Sequence, residues 1–312
     1  MTIFEAIIQG IVQGATEFLP ISSSGHLSIS QHILGVQLES LFFDIMLHIG
    51  TLIAVLFVYH KLIIRLTKEF FVLCGDIFKG KFKWKEMNHD RRLIFMLILG
   101  LVPLFLLFLP IPGTELKLKD VSDLWATDTN LLAEGIALLI TAALLFLGIR
   151  AEKKTKEKNI LRNGKEITLK GRKKLHTSDA LSIGLAQFFA AMLPGLSRSG
   201  STLCTGLIRG VNKQTALDYS FVLGIPAILA AAVLTVGDAM KSPLDVGAGA
   251  VIAGLLTSAI TGFLAIKLLK WIVSSNKLHI FAYYTLVVGV IVIIISIIEF
   301  SMGINIFSGV AL

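Results

Sequence analysis

Six long apolar segments constrain this chain more than any other feature of its sequence. Residues 280–298 carry no charged side chain. The other segments are residues 41–60, 93–109, 131–149, 219–236 and 249–266. Their lengths are close to the ~20 residues that an α-helix needs to cross a bilayer. Charged residues make up only 16% of the 312, against roughly 25% in soluble domains. Helices buried in a large soluble protein would not need so little charge, so the sequence predicts an all-α polytopic membrane protein.

Lysine and arginine are concentrated in alternate connecting segments. Residues 61–92 and 150–178 are strongly basic, whereas 112–130 and 237–246 contain few basic residues and the tail after Glu299 contains none. Because basic loops stay on the cytoplasmic side, the less basic segments and the C-terminus are predicted to lie outside. We expect 150–178 to be a basic cytoplasmic loop, in which residues 150–174 are solvated and have little structure. Membrane topology explains these charges, so the expected partners are membrane lipids and not nucleic acid.

A polar motif occurs twice in this apolar chain, about 175 residues apart. Residues 5–27 read EAIIQGIVQGATEFLPISSSGHL, and residues 179–203 read DALSIGLAQFFAAMLPGLSRSGSTL. Pro20 and Pro194 interrupt the helix in each copy, and serines suited to cap a new helix follow. Counting spans back from the C-terminus, the second copy enters and leaves the membrane on the cytoplasmic side. The first copy does so on the outer side.

Each half of the chain is therefore predicted to be a re-entrant helical hairpin followed by three transmembrane helices. Within this single membrane domain, the repeats comprise residues 1–150 and 179–312, and the hairpins residues 1–34 and 179–208. The two halves would have opposite orientations, and such inverted-topology repeats bring broken helices together near the middle of the bilayer. The alternative is that residues 1–19 and 179–193 cross the membrane completely.

The hairpin tips carry the side chains best suited to chemistry. Gln13 and Glu17 lie four residues apart on one helix face, and a carboxylate inside a bilayer is costly and usually functional. Arg198 has a planar fork that suits phosphate oxygens, although an ion pair with Glu17 is the structural alternative. His26 could exchange protons with a neighbouring serine, or simply be satisfied by the backbone. Two half-helix N-termini would also favour an anion such as phosphate.

Small polar residues and glycines around both tips complete the candidate substrate-binding set. These are Gln13, Ser22, Ser24, Gly25, Ser197, Ser199, Gly200 and Ser201. Gln187 and Thr202 are weaker candidates. His48 lies inside an apolar span, where it either packs or faces the same pocket.

At these motifs the chain resembles the bacterial undecaprenyl-diphosphate phosphatase family, also called the bacitracin-resistance protein family. One signature runs from Gln13 to Glu17 and continues as FLPISSSGH, and the other, PGLSRSG, runs from Pro194 to Gly200. The resemblance covers nearly the whole chain. Many members carry glutamate at the position of Gln13, so Glu17 is the one acidic residue of this signature here.

The resemblance implies hydrolysis of undecaprenyl diphosphate to undecaprenyl phosphate and phosphate. In the bacterial plasma membrane this reaction recycles the lipid carrier for peptidoglycan synthesis and confers bacitracin resistance. Ser23 is then the first choice for the nucleophile, with His26 as its base; attack by His26, or by water that it activates, is the alternative. Arg198 would hold the diphosphate, and a divalent cation, Mg²⁺ or Ca²⁺, would bridge Glu17 and the phosphates.

The expected pocket opens to the outer face, because the hairpin with His26 enters from there. A lipid-phosphate transporter or flippase is the competing class, since inverted repeats with broken helices are the usual build of secondary transporters. The chain could act alone or as a homodimer.

Overall fold

The computed structural model describes residues 1–35, 41–83, 86–120, 131–155, 157–162, 165–239 and 246–310. Helices dominate these ranges. They are α1 (Ile3–Phe18), α2 (Ser23–Leu34), α3 (Leu41–Val58), α4 (His60–Phe78), α5 (His89–Leu101) with a 3₁₀ continuation (Val102–Phe108), α6 (Leu132–Lys154), α7 (Thr177–Met192), α8 (Arg198–Ile208), α9 (Lys213–Ala239), α10 (Ala248–Ser274) and α11 (His279–Met302). The strands β1 (Glu157–Arg162) and β2 (Lys165–Lys170) form a two-stranded antiparallel sheet.

Five helices of the described chain are long and apolar enough to cross a membrane. They are α5 with its 3₁₀ continuation, α6, α9, α10 and α11. Helices α3 and α4 pass the same test together but are bent by 85°, so they add a sixth span if the pair crosses once. All six predicted apolar segments fall on these helices. The chain is a multi-pass membrane protein, and the predicted helical class is confirmed.

The basic segments contain more structure than their charge suggested. Helix α4 covers residues 61–78 of the first of them and buries Leu66 and Leu73. Arg91 ties α5 to α4 by donating to Glu69 and Asp76, each at 2.6 Å. Helix α4 is amphipathic: its two buried leucines face the protein, and its lysines and its arginine are exposed. Its high charge is therefore compatible with a regular helix.

The prediction that residues 150–174 have little structure is wrong. Helix α6 continues to Lys154, and the backbones of β1 and β2 pair from Glu157 opposite Lys170 to Arg162 opposite Lys165. An antiparallel ladder satisfies backbone donors and acceptors whatever the charge of its side chains, so composition alone does not reveal it. This sheet is the exception to the all-α class within the described residues.

Both copies of the polar motif fold back as helical hairpins. Gln9 Nε2 on α1 donates to Ser30 Oγ on α2 at 3.2 Å. At the base of the second hairpin, the buried carboxylate of Asp179 accepts from Arg209 Nε at 3.1 Å and from Arg172 Nη1 at 2.8 Å. The chain therefore reverses between α1 and α2, and again between α7 and α8.

The lengths of the returning helices favour re-entrant hairpins over complete crossings. Helix α2 has 12 residues and α8 has 11. At 1.5 Å per residue they are about 18 Å and 17 Å long, well short of the ~30 Å hydrocarbon core. The opposite orientation of the two halves stays a prediction.

Equivalent glycines of the two motifs make equivalent close contacts. A Cβ added at Gly10 would lie 2.6 Å from the carbonyl oxygen of Gly254, so α1 and α10 approach backbone to backbone. A Cβ added at Gly184 would likewise clash with the carbonyl oxygen of Gly100, where α7 packs on α5. Small residues permit this close packing of helices in membranes. It holds each hairpin against a long helix of the other half.

Candidate functional site

The tips of the two hairpins meet. Ser199 Oγ donates to the carbonyl oxygen of Leu19 at 2.9 Å, and the backbone N–H of Gly195 donates to Ser24 Oγ at 3.3 Å. These bonds join residues about 170–180 positions apart in the chain. The duplicated motifs therefore build one site.

The two returning helices begin with the same cap. Ser22 Oγ accepts from the N–H of Gly25 at 3.2 Å, and Ser197 Oγ accepts from the N–H of Gly200 at 3.1 Å. Serine at this position satisfies a helix N–H that would otherwise lack a partner. The backbone of Ser22 has φ 75°, a left-handed conformation that is costly for a residue with a side chain. These four predicted binding residues therefore shape the helix starts.

Glu17 is the centre of the cluster at the tips. Its Oε1 accepts from Arg198 Nη2 at 2.6 Å, and its Oε2 accepts from Ser23 Oγ at 2.7 Å and from Gln13 Nε2 at 2.9 Å. His48 Nε2 lies 3.8 Å from the same Oε2. Glu17 is only 7% exposed, so its charge is compensated almost entirely by these neighbours. The ion pair with Arg198 joins the two halves of the chain.

A cavity of about 380 Å³ opens beside this cluster. The two tips supply its polar wall, and α3 and α9 supply much of the rest. The polar lining residues are Glu17, Ser22, Ser23, Ser24, Asp44, His48, Ser197, Arg198, Ser199 and Thr235. The remaining lining residues are alanine, leucine and isoleucine. A few convergent polar groups in an apolar wall suit an amphiphile with a charged head.

Asp44 is the candidate functional residue that sequence reasoning missed. It lines the cavity, and its Oδ1 is buried without a hydrogen-bond partner in the described part of the protein. His48, one turn later on α3, bonds through Nδ1 to the backbone oxygen of Asp44 at 2.8 Å and lines the same cavity. The available signal was a single carboxylate within an apolar span, which is costly unless it serves a function.

His26 lies beside the cluster with both ring nitrogens engaged. Nδ1 lies 2.7 Å from the carbonyl oxygen of Ser22, and Nε2 lies 2.9 Å from the hydroxyl oxygen of Tyr284 on α11. Since a carbonyl only accepts, the proton is assigned to Nδ1, and the tyrosine hydroxyl donates to Nε2. The structure brings Ser23 to Glu17, and His26 to Tyr284.

The remaining candidates lie behind the cavity wall. Thr202 Oγ1 bonds to the backbone oxygen of Arg198 at 2.8 Å and to Ser220 Oγ at 2.6 Å. Ser201 Oγ and both amide atoms of Gln187 are buried without partners among the described residues. None of Thr202, Ser201 and Gln187 lines the cavity, so the structure does not place these three candidates where they would contact a molecule bound there.

The donor set offers no complete cage for a metal ion. Within the described ranges, no three His, Cys, Asp or Glu side chains are grouped to hold one. Both oxygens of Glu17 already have partners, whereas Asp44 Oδ1 has none. Carboxylates of this kind fit a hard cation that takes its other ligands from substrate phosphates and water, as Mg²⁺ usually does.

Comparison with known proteins identifies the family. Residues 6–291 match the family described as Bacitracin resistance protein BacA. This chain belongs to that family. It is 40% identical over 298 residues to the undecaprenyl-diphosphatase of Alkaliphilus metalliredigens, covering 95% of this chain and 99% of the relative. It is 39% identical over 293 residues to that of Methanobrevibacter smithii, covering 94% and 97%. The relatives of this BacA-family chain thus include archaeal proteins as well as bacterial ones.

Proposed function

We propose that the chain hydrolyses undecaprenyl diphosphate to undecaprenyl phosphate and phosphate. The family and the names of its relatives support this reaction. The observation that carries the proposal is the contact of Glu17 with both Ser23 and Arg198 in a cavity with apolar walls. That cavity offers a nucleophile, a base and an anion clamp to a lipid whose only polar part is a diphosphate.

Arg198 and the two helix starts would bind the diphosphate. Glu17 engages Nη2 of the guanidinium, but Nη1 is buried without a partner in the described chain. That N–H group can donate to a phosphate oxygen, and charge-assisted bonds of this kind are among the strongest that proteins make. The first N–H groups of α2 and α8 add positive potential at the same place.

Ser23 is the proposed nucleophile, and the geometry supports Glu17 as its base. Ser23 Oγ donates to Glu17 Oε2 at 2.7 Å, within reach for proton transfer. Oγ would attack the terminal phosphorus, Glu17 would take the hydroxyl proton, and undecaprenyl phosphate would leave as the bond to the bridging oxygen breaks. Water would then cleave the phosphoserine to release phosphate. Attack by His26 is the alternative, although both of its ring nitrogens are hydrogen-bonded elsewhere.

A divalent cation, Mg²⁺ or Ca²⁺, completes the proposal. Glu17 and Asp44 would hold it together with the substrate. When bound, it would neutralise phosphate charge and the negative charge that develops on the leaving oxygen. The opening of the cavity to the outer face, the location in the plasma membrane and a homodimeric state also stay predictions.

Phosphate release from undecaprenyl diphosphate by the purified full chain in detergent tests the proposal. Release without a membrane gradient is expected, because hydrolysis needs no gradient, whereas a transporter or flippase would release none. Arg198→Ala is expected to lower release by about 10²-fold or more, since it removes the charge that the phosphates face. Undiminished release by this variant would exclude the proposed pocket.

The identity of the nucleophile has its own test. Rapid denaturing quench followed by mass spectrometry is expected to detect a phosphorylated Ser23 peptide. A phosphorylated His26 peptide, or a fully active Ser23→Ala variant, would exclude Ser23 as the nucleophile and leave the hydrolytic function standing.

A further inference from the structure

A second and larger cavity lies near the opposite end of α9 from the candidate active site. It encloses about 720 Å³. Helices α4, α5 and α9 and the segment before α7 line it. On α9 it reaches from Thr215 to Val222, whereas the candidate active site is lined from Ala227 to Thr235.

The second cavity is distinct from the candidate active site, because no residue lines both. A line of packed aromatic rings runs from one to the other. Phe18 follows Glu17 in the chain and packs edge-on against Phe221 with ring centroids 5.5 Å apart. Phe221 in turn packs against Tyr59 at 6.0 Å, and the Tyr59 hydroxyl donates to Asp218 in the second cavity at 2.6 Å. All three rings are buried.

The second cavity carries uncompensated positive charge. Arg92, Lys173 and Lys174 line it, and none of them forms an ion pair among the described residues. Arg92 Nε is moreover buried without a hydrogen-bond partner in that part of the chain. The lining carboxylate of Asp218 accepts from Tyr59 and lies 3.8 Å from Lys270, so it does not neutralise these three cations.

The lining of the same cavity also includes apolar residues and a helix start. Leu93, Met96, Leu175 and Val222 line it. Asn88, which caps the start of α5, lines it as well, and helix N–H groups favour an anion there. A lining that combines cations with apolar side chains fits a phosphate group attached to an apolar chain better than it fits a neutral or cationic molecule.

We propose that this second cavity is a binding site for a phosphate group. The phosphate belongs to a lipid headgroup or is free inorganic phosphate. The planar guanidinium of Arg92 would contact its oxygens, and the flexible Lys173 and Lys174 would close over it. The cavity lies among the strongly basic segments, on the side predicted to be cytoplasmic. The proposal does not depend on the hydrolytic function, because the site shares no lining residue with the candidate active site.

Equilibrium binding to the purified full chain in detergent tests the proposal. Every protein in the experiment also carries Arg198→Gln, so that the candidate active site contributes less to the measured phosphate binding. The probes are radiolabelled inorganic phosphate, a fluorescent short-chain phosphatidic acid and a fluorescent diacylglycerol of the same chain length, which lacks the phosphate group. Arg92→Gln is expected to weaken binding of the phosphate-bearing probe about tenfold. The matched control is Lys277→Gln, which removes a lysine stacked on Trp271 and is expected to change nothing.

The double variant Lys173→Gln/Lys174→Gln keeps the test informative if Arg92→Gln folds poorly. Both lysines are exposed, so their loss should weaken binding without unfolding the chain. Phosphatidic acid binding alone would identify a lipid headgroup, and equal binding of inorganic phosphate would identify free phosphate; either result supports the site. The proposal is overturned if the diacylglycerol binds as tightly as phosphatidic acid, if no probe binds, or if neither variant differs from Lys277→Gln.

Discussion

Replacing Gly224 by alanine is expected to displace the guanidinium of Arg198. Gly224 lies on α9, directly against that group. A Cβ added there would lie 2.8 Å from Arg198 Cζ and 3.2 Å from Nη2, and it would overlap Nη1. Ordinary contacts between carbon atoms begin at about 3.5 Å. The guanidinium therefore has to retreat from α9.

The size of the effect follows from this geometry. Bringing Cζ from 2.8 Å to about 3.5 Å requires a shift of about 0.7 Å, and Nη1 must move further. A displacement of about 1 Å at a catalytic group can lower the rate by about 10²-fold, which is about 2.7 kcal/mol in the activation barrier. Stability should change little, because the obstructing atoms end a long side chain and alanine is favoured over glycine within a helix by about 1 kcal/mol.

The assay compares phosphate release and thermal unfolding in detergent for two variants. Gly224→Ala is expected to lose kcat and keep its melting temperature. Gly289→Ala is the matched control, because its added Cβ would lie 3.1 Å from the backbone oxygen of Gly135, which cannot move aside as the end of a side chain can, where α11 packs on α6. This control should lose stability and keep its activity per folded molecule. A Gly224→Ala protein with full kcat would refute the reasoning that the position of Arg198 limits the reaction.

Three further substitutions test the cluster and its support. Ser23→Ala should lower phosphate release by more than about 10³-fold, because a nucleophile's contribution is not replaced by its neighbours; release within tenfold of the parent would contradict this. Asp44→Asn should raise the Mg²⁺ concentration needed for half-maximal phosphate release about tenfold, since it removes a carboxylate from the cavity, and should leave the melting temperature unchanged. An unchanged Mg²⁺ titration would argue against Asp44 as a metal ligand. Asp179→Asn should lower stability by about 1–2 kcal/mol, because its buried carboxylate holds two half-exposed arginines. Thermal unfolding measures this loss. Glu5→Gln changes the equivalent residue of the first repeat, an exposed helix cap, and should lower stability less. Equal losses of stability in the two variants would contradict this explanation.

Features that depend on short stretches of sequence were predictable from the chain alone. Apolar length located the spans, because the bilayer sets the length of a crossing helix. Pro20 and Pro194 with the following serines located the breaks, because those residue types end one helix and cap the next. The tip residues could be identified because they lie next to these breaks. The repetition of the motif indicated that the two tips form one site.

The partners within the cluster were less predictable, because they depend on angles between elements. Adjacency in sequence suggested His26 as the base for Ser23. The observed contact of Ser23 with Glu17 crosses the helix break, and its geometry depends on the left-handed backbone at Ser22. Asp44 entered the cavity through the rotation of α3, which its packing against α9 and α10 determines. No local pattern encodes that rotation.

The two copies of the motif have diverged in a way that electrostatics explains. Ala191 lines the cavity at the position equivalent to Glu17, and Ser23 occupies the position equivalent to Arg198. Two glutamates or two arginines at one buried site would repel each other and remain uncompensated, at a cost of several kcal/mol. One charge from each half instead forms a compensated pair beside the cavity. A bound diphosphate would then share Arg198 with Glu17, and each step that weakens the pair would leave Glu17 a stronger base toward Ser23.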